Sequence, residues 1–202
     1  MLAESLKAPE FALRPDRAFV RVAGGEAAEF LQGLISQDIQ KITAEYSGYG
    51  ALLTPQGKFL HDLFLTKTAD GFLLECETER RDDLIMRLKR YRLRAKIDIA
   101  PEDDLAVAVM WGEGIIANAE LAETPGATAV DGARTTYVDH RITALGVRII
   151  DTPDSLSPPP SAEMSSLDAY RAHRLALGVP EGSTDILVDR GFLLENGFDE
   201  LN

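Results

Sequence analysis

Apolar and polar positions follow one another in short blocks along this chain, and the period of the blocks changes in a recurring order. Phe19-Val20-Arg21-Val22 reads as a short strand, Gly24-Gly25 turns it, and Ala27, Phe30, Leu31 and Leu34 then recur at helical spacing. Strands are predicted over Gly48 to Leu53, Phe59 to Lys67 and Phe72 to Glu77. Pro55-Gln56-Gly57 and Asp70-Gly71 supply the turns between them, so an antiparallel meander follows. A helix over Asp82 to Tyr91 has Leu84, Ile85, Leu88 and Tyr91 on one face, and Lys96 to Ala100 alternates as a further strand.

Pro101-Glu102-Asp103-Asp104 breaks the pattern, after which the order repeats: a strand over Leu105 to Trp111, Gly112, and a helix over Ile115 to Leu121. Asp139 to Thr143 and Leu145 to Ile150 read as a hairpin around Gly146, much like the pair around Gly71, which suggests a weak internal duplication. Residues 1–15 read as an irregular lead-in, and the proline-rich residues 151–164 as a surface connection. Ser165 with Asp168 is a capping pattern for a helix over Ser166 to Leu177, which carries Leu167, Tyr170, Arg174 and Leu177 on one side. Gly178 and Pro180 stop it, and a strand or extended arm is predicted beyond. The fold class is α+β: two antiparallel-sheet units, residues 1–100 and 101–202, with flanking helices. They are expected to be intertwined, residues 1–47 packing with the second unit.

Composition narrows the function classes. With 45% hydrophobic and 27% charged residues, the 202-residue chain is an ordinary globular sequence. Its formal charge of -12 opposes direct binding to nucleic acid. The apolar runs are short and no basic, apolar leader opens the sequence, so no membrane contact and a cytoplasmic location are expected. Cys76 is the single cysteine and shares a strand face with Phe72 and Leu74, which reads as core packing and leaves no thiol cluster for zinc or iron and sulfur. The cations of the segment Arg80 to Lys96 read either as a solvated helix face or as a basic rim for an anionic ligand tail. His61, His140 and His173 are far apart in sequence, and no Ser/His/Asp signature or phosphate loop is present.

Five segments together resemble a known family. They are Leu31-Gln32-Gly33-Leu34-Ile35-Ser36-Gln37-Asp38; Leu53-Thr54-Pro55-Gln56-Gly57-Lys58; Tyr91-Arg92-Leu93-Arg94-Ala95-Lys96; Asp139-His140-Arg141 before Leu145-Gly146-Val147-Arg148; and Y-R-x-x-R-x-x-x-G-x-P-E-G-x-x-D from Tyr170, followed by L-x-E-x-x-x-D-x-L-N. In this order they are similar to YgfZ-type folate-binding proteins, nearest to the branch that includes the mitochondrial iron-sulfur assembly factor. The sequence stops at Asn202, ahead of the family's K-G-C-Y-x-G-Q-E motif and its C-terminal barrel, neither of which this chain contains. The resemblance implies an aminomethyltransferase-like folate-binding fold. It also implies an accessory role in iron-sulfur cluster assembly or repair, with cluster client or carrier proteins as partners and support of tRNA modification by cluster enzymes. Tetrahydrofolate or another reduced folate is the implied cofactor. By the same likeness Tyr170 stands where a pterin wall is expected and Glu195 where a carboxylate would accept the ring N–H groups, while Arg141 could address the glutamate tail or a structural acid. The competing reading is a tetrahydrofolate-dependent aminomethyltransferase like the glycine cleavage T-protein. His61-Asp62 stands where the transferase has adjacent aspartates, so Asp62 is kept and the first acid is replaced.

Overall fold

The computed structural model describes residues 8–197. In chain order the elements are β1 (Glu10–Leu13), β2 (Arg17–Ala23), α1 (Ala27–Gln32), β3 (Gly48–Leu53), β4 (Phe59–Lys67), β5 (Gly71–Glu77), α2 (Arg81–Tyr91) and β6 (Asp98–Glu102). There follow β7 (Ala106–Trp111), α3 (Ile115–Asn118), β8 (Thr128–Asp131), β9 (Arg134–Val138), β10 (Val147–Asp151), β11 (Glu163–Met164), α4 (Leu167–Ala176) and α5 (Gly182–Asp185).

The strands form two sheets that do not close into a barrel. One has five strands in the order β3-β4-β5-β2-β6, all antiparallel, and the other six in the order β11-β1-β7-β10-β9-β8. The α+β class of two intertwined sheet units holds. β1 lies in the six-stranded sheet beside β7, and β2, three residues later, lies in the five-stranded one between β5 and β6. The only parallel pairing among the described strands joins β1 to β11.

Alternation within each strand sends its two faces to different places. Val20, Val22, Leu63, Leu65, Phe72, Leu74 and Cys76 face outward under α1 and α2, where they pack with Leu31, Leu84 and Leu88. Phe19, Tyr49, Phe64 and Leu73 face the other sheet and meet Val107, Val109, Trp111, Tyr137 and Ile150, with Tyr170 of α4 in the same core. The outer face of the six-stranded sheet buries Phe11, Ala108, Met110, Val138 and Val147 against Ile115 of α3. The repeated order of strand, glycine and helix has a backbone basis. Gly24 and Gly112 end β2 and β7 with φ of +124° and +127°, a region closed to side-chain-bearing residues.

Several sequence-based expectations change. Residues 10–13 of the lead-in form β1, and Glu163–Met164 of the proline-rich connection pairs with it. The hairpin around Gly146 is formed by β9 and β10, with β8 added as an edge, while Asp139-His140-Arg141 lies in the connection. Those three residues are polar yet buried: Asp139 and Arg141 join the charged network between the sheets, while His140 packs against Tyr46 and Gly126. Ser166, not Ser165, caps α4 and accepts from the Ala169 N–H at 3.1 Å; the Ser165 hydroxyl instead donates to Glu10 at 2.6 Å. After Gly178 the chain makes the short α5 and meets the start of β4 through backbone hydrogen bonds of Phe59 with Asp189 and Gly191 and an isolated bridge of Lys58 to Phe192, so no strand follows among the described residues. The end of that motif, from Phe198 on, lies outside the described residues.

Candidate functional site

Between the two sheets, five arginines and four acids are withdrawn from solvent: Arg14, Arg17, Arg141, Arg148 and Arg174 with Asp62, Glu75, Asp139 and Glu181. Burying one unpaired charge costs several kcal/mol, so such a set persists only if each member is matched. Glu75 on the inward face of β5 accepts from Arg17 Nε at 2.9 Å, from Arg148 Nε at 3.2 Å, from Arg148 Nη2 and from the Tyr137 hydroxyl at 3.2 Å. Arg17 also donates to Asp62 Oδ1 at 3.1 Å, and the Tyr49 hydroxyl donates to Asp62 Oδ2 at 3.3 Å. Arg141 grips Asp139 with Nε at 3.0 Å and Nη2 at 2.8 Å, and Arg148 Nη1 reaches the same carboxylate at 3.4 Å. Phe64 forms the floor, with the guanidinium carbons of Arg148 and Arg141 at 4.1 and 5.1 Å from its ring centroid.

At one end the network opens to a cleft of about 310 Å³, lined among others by Arg14, Asp16, Arg17, Arg171, Glu181 and Ser183. Arg14 Nη2 donates to Glu181 at 3.0 Å and to Asp16 at 3.0 Å, while its buried Nη1 has no hydrogen-bonding partner. Burial raises the Glu181 carboxyl, but the charges of Arg14 and Arg141 outweigh it and hold the group well below the usual carboxylate range. Glu75 and Asp139 behave likewise: burial opposes ionisation, and the guanidinium of Arg148 in the first case and Arg141 in the second overcomes it. Glu75, Asp139 and Glu181 are therefore ionised near neutral pH, and two buried guanidinium nitrogens, Arg14 Nη1 and Arg174 Nε, have no hydrogen-bonding partner.

Of the residues singled out in the sequence, Asp62, Arg141 and Tyr170 meet in this network, Arg141 Nη2 donating to the Tyr170 hydroxyl at 3.0 Å. Tyr170 is fully enclosed, its ring 5.4 Å from that of Trp111 and covered by the Arg14 guanidinium at 5.0 Å. Glu195 is not brought to it. Expected to be a sheltered carboxylate, it is exposed in a turn beyond the Lys58 bridge, where it accepts from its own Phe192 N–H at 3.4 Å, because the chain does not fold back as an arm across the inter-sheet space. His61 faces away from Asp62, outward, and shares a hydrogen bond of 2.9 Å with Asp83 of α2. Since α2 covers the outer face, its cations cannot form a rim for the inter-sheet cleft. Glu75, Arg148, Arg14, Arg17 and Glu181 escape sequence reasoning, although a charge inside an apolar run, as in Val147-Arg148-Ile149 and Leu74-Glu75-Cys76, is the signal that points to them.

Cys76 faces the outer core, and burial pushes its thiol up to about 12. Among the described residues no group of three or more His, Cys, Asp or Glu side chains is placed to hold a metal ion, and no helix is long and apolar enough to cross a membrane.

Comparison with known proteins gives the following. No family model matches the chain. It is 33% identical over 199 residues to the mitochondrial iron-sulfur cluster assembly factor IBA57 homolog of Pyricularia oryzae, covering 94% of this chain and 48% of that protein. It is 30% identical over 185 residues to the Homo sapiens mitochondrial factor IBA57, covering 84% and 51%. The chain thus spans about half the length of these curated relatives. These relatives are named as mitochondrial proteins, which overturns the expected cytoplasmic location. Among solved structures, the aminomethyltransferase T of the glycine cleavage system from Bartonella henselae superposes with a TM-score of 0.78 at 16% identity, covering 96% of this chain and 58% of that one. The chain is therefore similar, over nearly all of its own length, to about half of the mitochondrial iron-sulfur cluster assembly factor IBA57, and it carries the fold of an aminomethyltransferase T.

Proposed function

We propose that this protein is an accessory factor in the assembly or repair of iron-sulfur clusters, one that holds a reduced folate at the Glu181 cleft and serves cluster-dependent client proteins, tRNA-modifying enzymes among them. The observation that carries the role is the 33% identity to a named assembly factor across 94% of the chain. An accessory role, as opposed to that of a cluster holder, is supported by the placement of Cys76, a single thiol that burial keeps protonated.

The lining of the cleft fits a folate in its charges. Glu181 and Asp16 offer carboxylates to the N–H edge of a pterin. Arg171, 43% exposed at its side chain, and the uncommitted Nη1 of Arg14 offer guanidinium groups to an anionic glutamate tail. No aromatic ring among the described residues lines the cleft, so a flat ring would stack on a guanidinium plane, and Tyr170 supports Arg14 from beneath. Bound folate supplies a carrier for one-carbon groups. Transfer of an aminomethyl group is the weaker reading, because Asp62, the retained acid, is already engaged by Arg17 and Tyr49.

Titration calorimetry with tetrahydrofolate on the wild type, Glu181→Gln and Arg171→Ala, alongside melting curves, tests the site. Losing a charged hydrogen-bond partner costs about 1.5–3 kcal/mol, so Glu181→Gln is expected to bind about tenfold or more weakly. Arg171→Ala, on the surface, is expected to melt as the wild type does and still bind several-fold more weakly. Equal affinity in all three proteins, or absence of binding by the wild type, refutes the site.

A further inference from the structure

α2 has a second face that the fold leaves unused. Leu84 and Leu88 enter the core, whereas Met86, Lys89 and Arg90 recur at intervals of three and four residues on its outward side, and Leu93 stands in the turn just past its end with φ of +45°. All four are exposed, Met86 by 50% and Leu93, one of the most exposed large apolar residues described, by 88%. Tyr91, Arg92, Arg94 and Lys96 flank them and are exposed as well. From Leu84 to Ile97 the sequence contains no acid, and among the described residues Lys89, Arg90, Arg94 and Lys96 form no ion pair. The chain as a whole has a net charge of -12, so without Lys89, Arg90, Arg92, Arg94 and Lys96 the remainder is more negative still.

We propose that this stripe docks a partner protein presenting a compact acidic surface around two apolar contacts. Met86 on α2 and Leu93 in the turn after it are the apolar residues that would make those contacts. Arg, Tyr and Met are the residues enriched at protein interfaces and Lys is depleted there; here three arginines stand with Tyr91 and Met86 against two lysines. A bilayer or a nucleic acid presents negative charge over an extended surface, which the acidic remainder of this molecule opposes. A partner that touches only the stripe meets its cations, and screening over about 8 Å separates it from the rest. The inference does not rest on the folate reading, because α2 lies on the outer face of the five-stranded sheet and the cleft opens between the sheets.

The test titrates the full chain, by fluorescence anisotropy at low and at physiological salt, with a synthetic helical peptide bearing two leucines on one face among glutamates. Controls are the same peptide with serine for leucine, vesicles of phosphatidylglycerol, and a single-stranded oligonucleotide. The leucine peptide is expected to bind, with tenfold or greater weakening by Leu93→Ser and by the pair Arg90→Ser, Arg94→Ser, and with melting temperatures unchanged because these side chains are exposed. Failure of the peptide to bind, insensitivity to both variants, or tighter binding of vesicles or oligonucleotide through the same residues overturns the proposal.

Discussion

Replacing Glu75 with glutamine removes the charge around which the inter-sheet network is arranged. Its carboxylate is fully buried and accepts four hydrogen bonds, two from Arg148, one from Arg17 and one from Tyr137. Glutamine keeps one acceptor oxygen and turns the other position into a donor facing a guanidinium. Arg17 retains Asp62 at 3.1 Å, but Arg148 can donate to only one atom of residue 75 and keeps Asp139 at 3.4 Å as its one charged partner, and Asp139 is already committed to Arg141. Removing one partner of a buried pair costs about 3–5 kcal/mol, a large share of the roughly 5–15 kcal/mol that stabilises a domain. In a chain of this size each kcal/mol shifts the melting temperature by about 2–4 °C, so a fall of roughly 10 °C is expected. Urea unfolding of Glu75→Gln, Arg148→Met and the double variant gives the coupling directly, and the double variant is expected to be more stable than the sum of the single losses implies. A loss below about 1 kcal/mol for Glu75→Gln, or additive losses in the cycle, would show that these charges do not hold the sheets together.

Three further outcomes follow from other parts of the fold. A Cβ at Gly182 would lie 1.8 Å from Glu77 Oε1 and 3.0 Å from Asp62 Oδ1 on a backbone with φ of +46°, so Gly182→Ala should lower stability by about 1–3 kcal/mol in thermal melts, and a neutral result contradicts the packing of α5 on the network. Burial, aided by the charge of Arg80, pushes His61 down to about 4 against an unfolded value of 6.5. The unfolded chain therefore binds the extra proton between those values, and stability should fall by up to about 3 kcal/mol as pH drops from 6.5 to 4, with His61→Gln showing a flatter pH dependence in urea midpoints. The Cys76 thiol, buried and raised to about 12, should resist a disulfide reagent at pH 8 until the protein is denatured; rapid labelling of the folded protein contradicts its core placement.

The first half of the fold was legible because its strands are long and bounded by strong turns; β3, β4 and β5 lie where alternation and the Pro55 and Asp70 turns place them. The second half was harder. β8 carries only Ala129 and Val130 as apolar residues, both exposed, and β11 is held by pairing with β1 from the far end of the chain, which no local pattern encodes. Asp62, Arg141 and Tyr170, singled out by resemblance, lie in the buried network, whereas Glu75 and Arg148 are hidden by the rule that a polar residue in a strand faces water. Here the second face of each strand meets another sheet, and the polar positions find partners across it. Glu195 was misplaced for a related reason, since the turn around the Lys58 bridge keeps its segment at the surface.

The claim that this chain serves iron-sulfur cluster assembly is tested most directly by deleting its gene in the source organism and assaying cluster-dependent enzymes beside a cluster-free dehydrogenase. The account predicts that the cluster-dependent activities fall while the dehydrogenase holds, and that wild-type protein restores them but Glu181→Gln, expressed to the same level, does not. Unchanged cluster-dependent activities, or an equal decline of both kinds of enzyme, would contradict it.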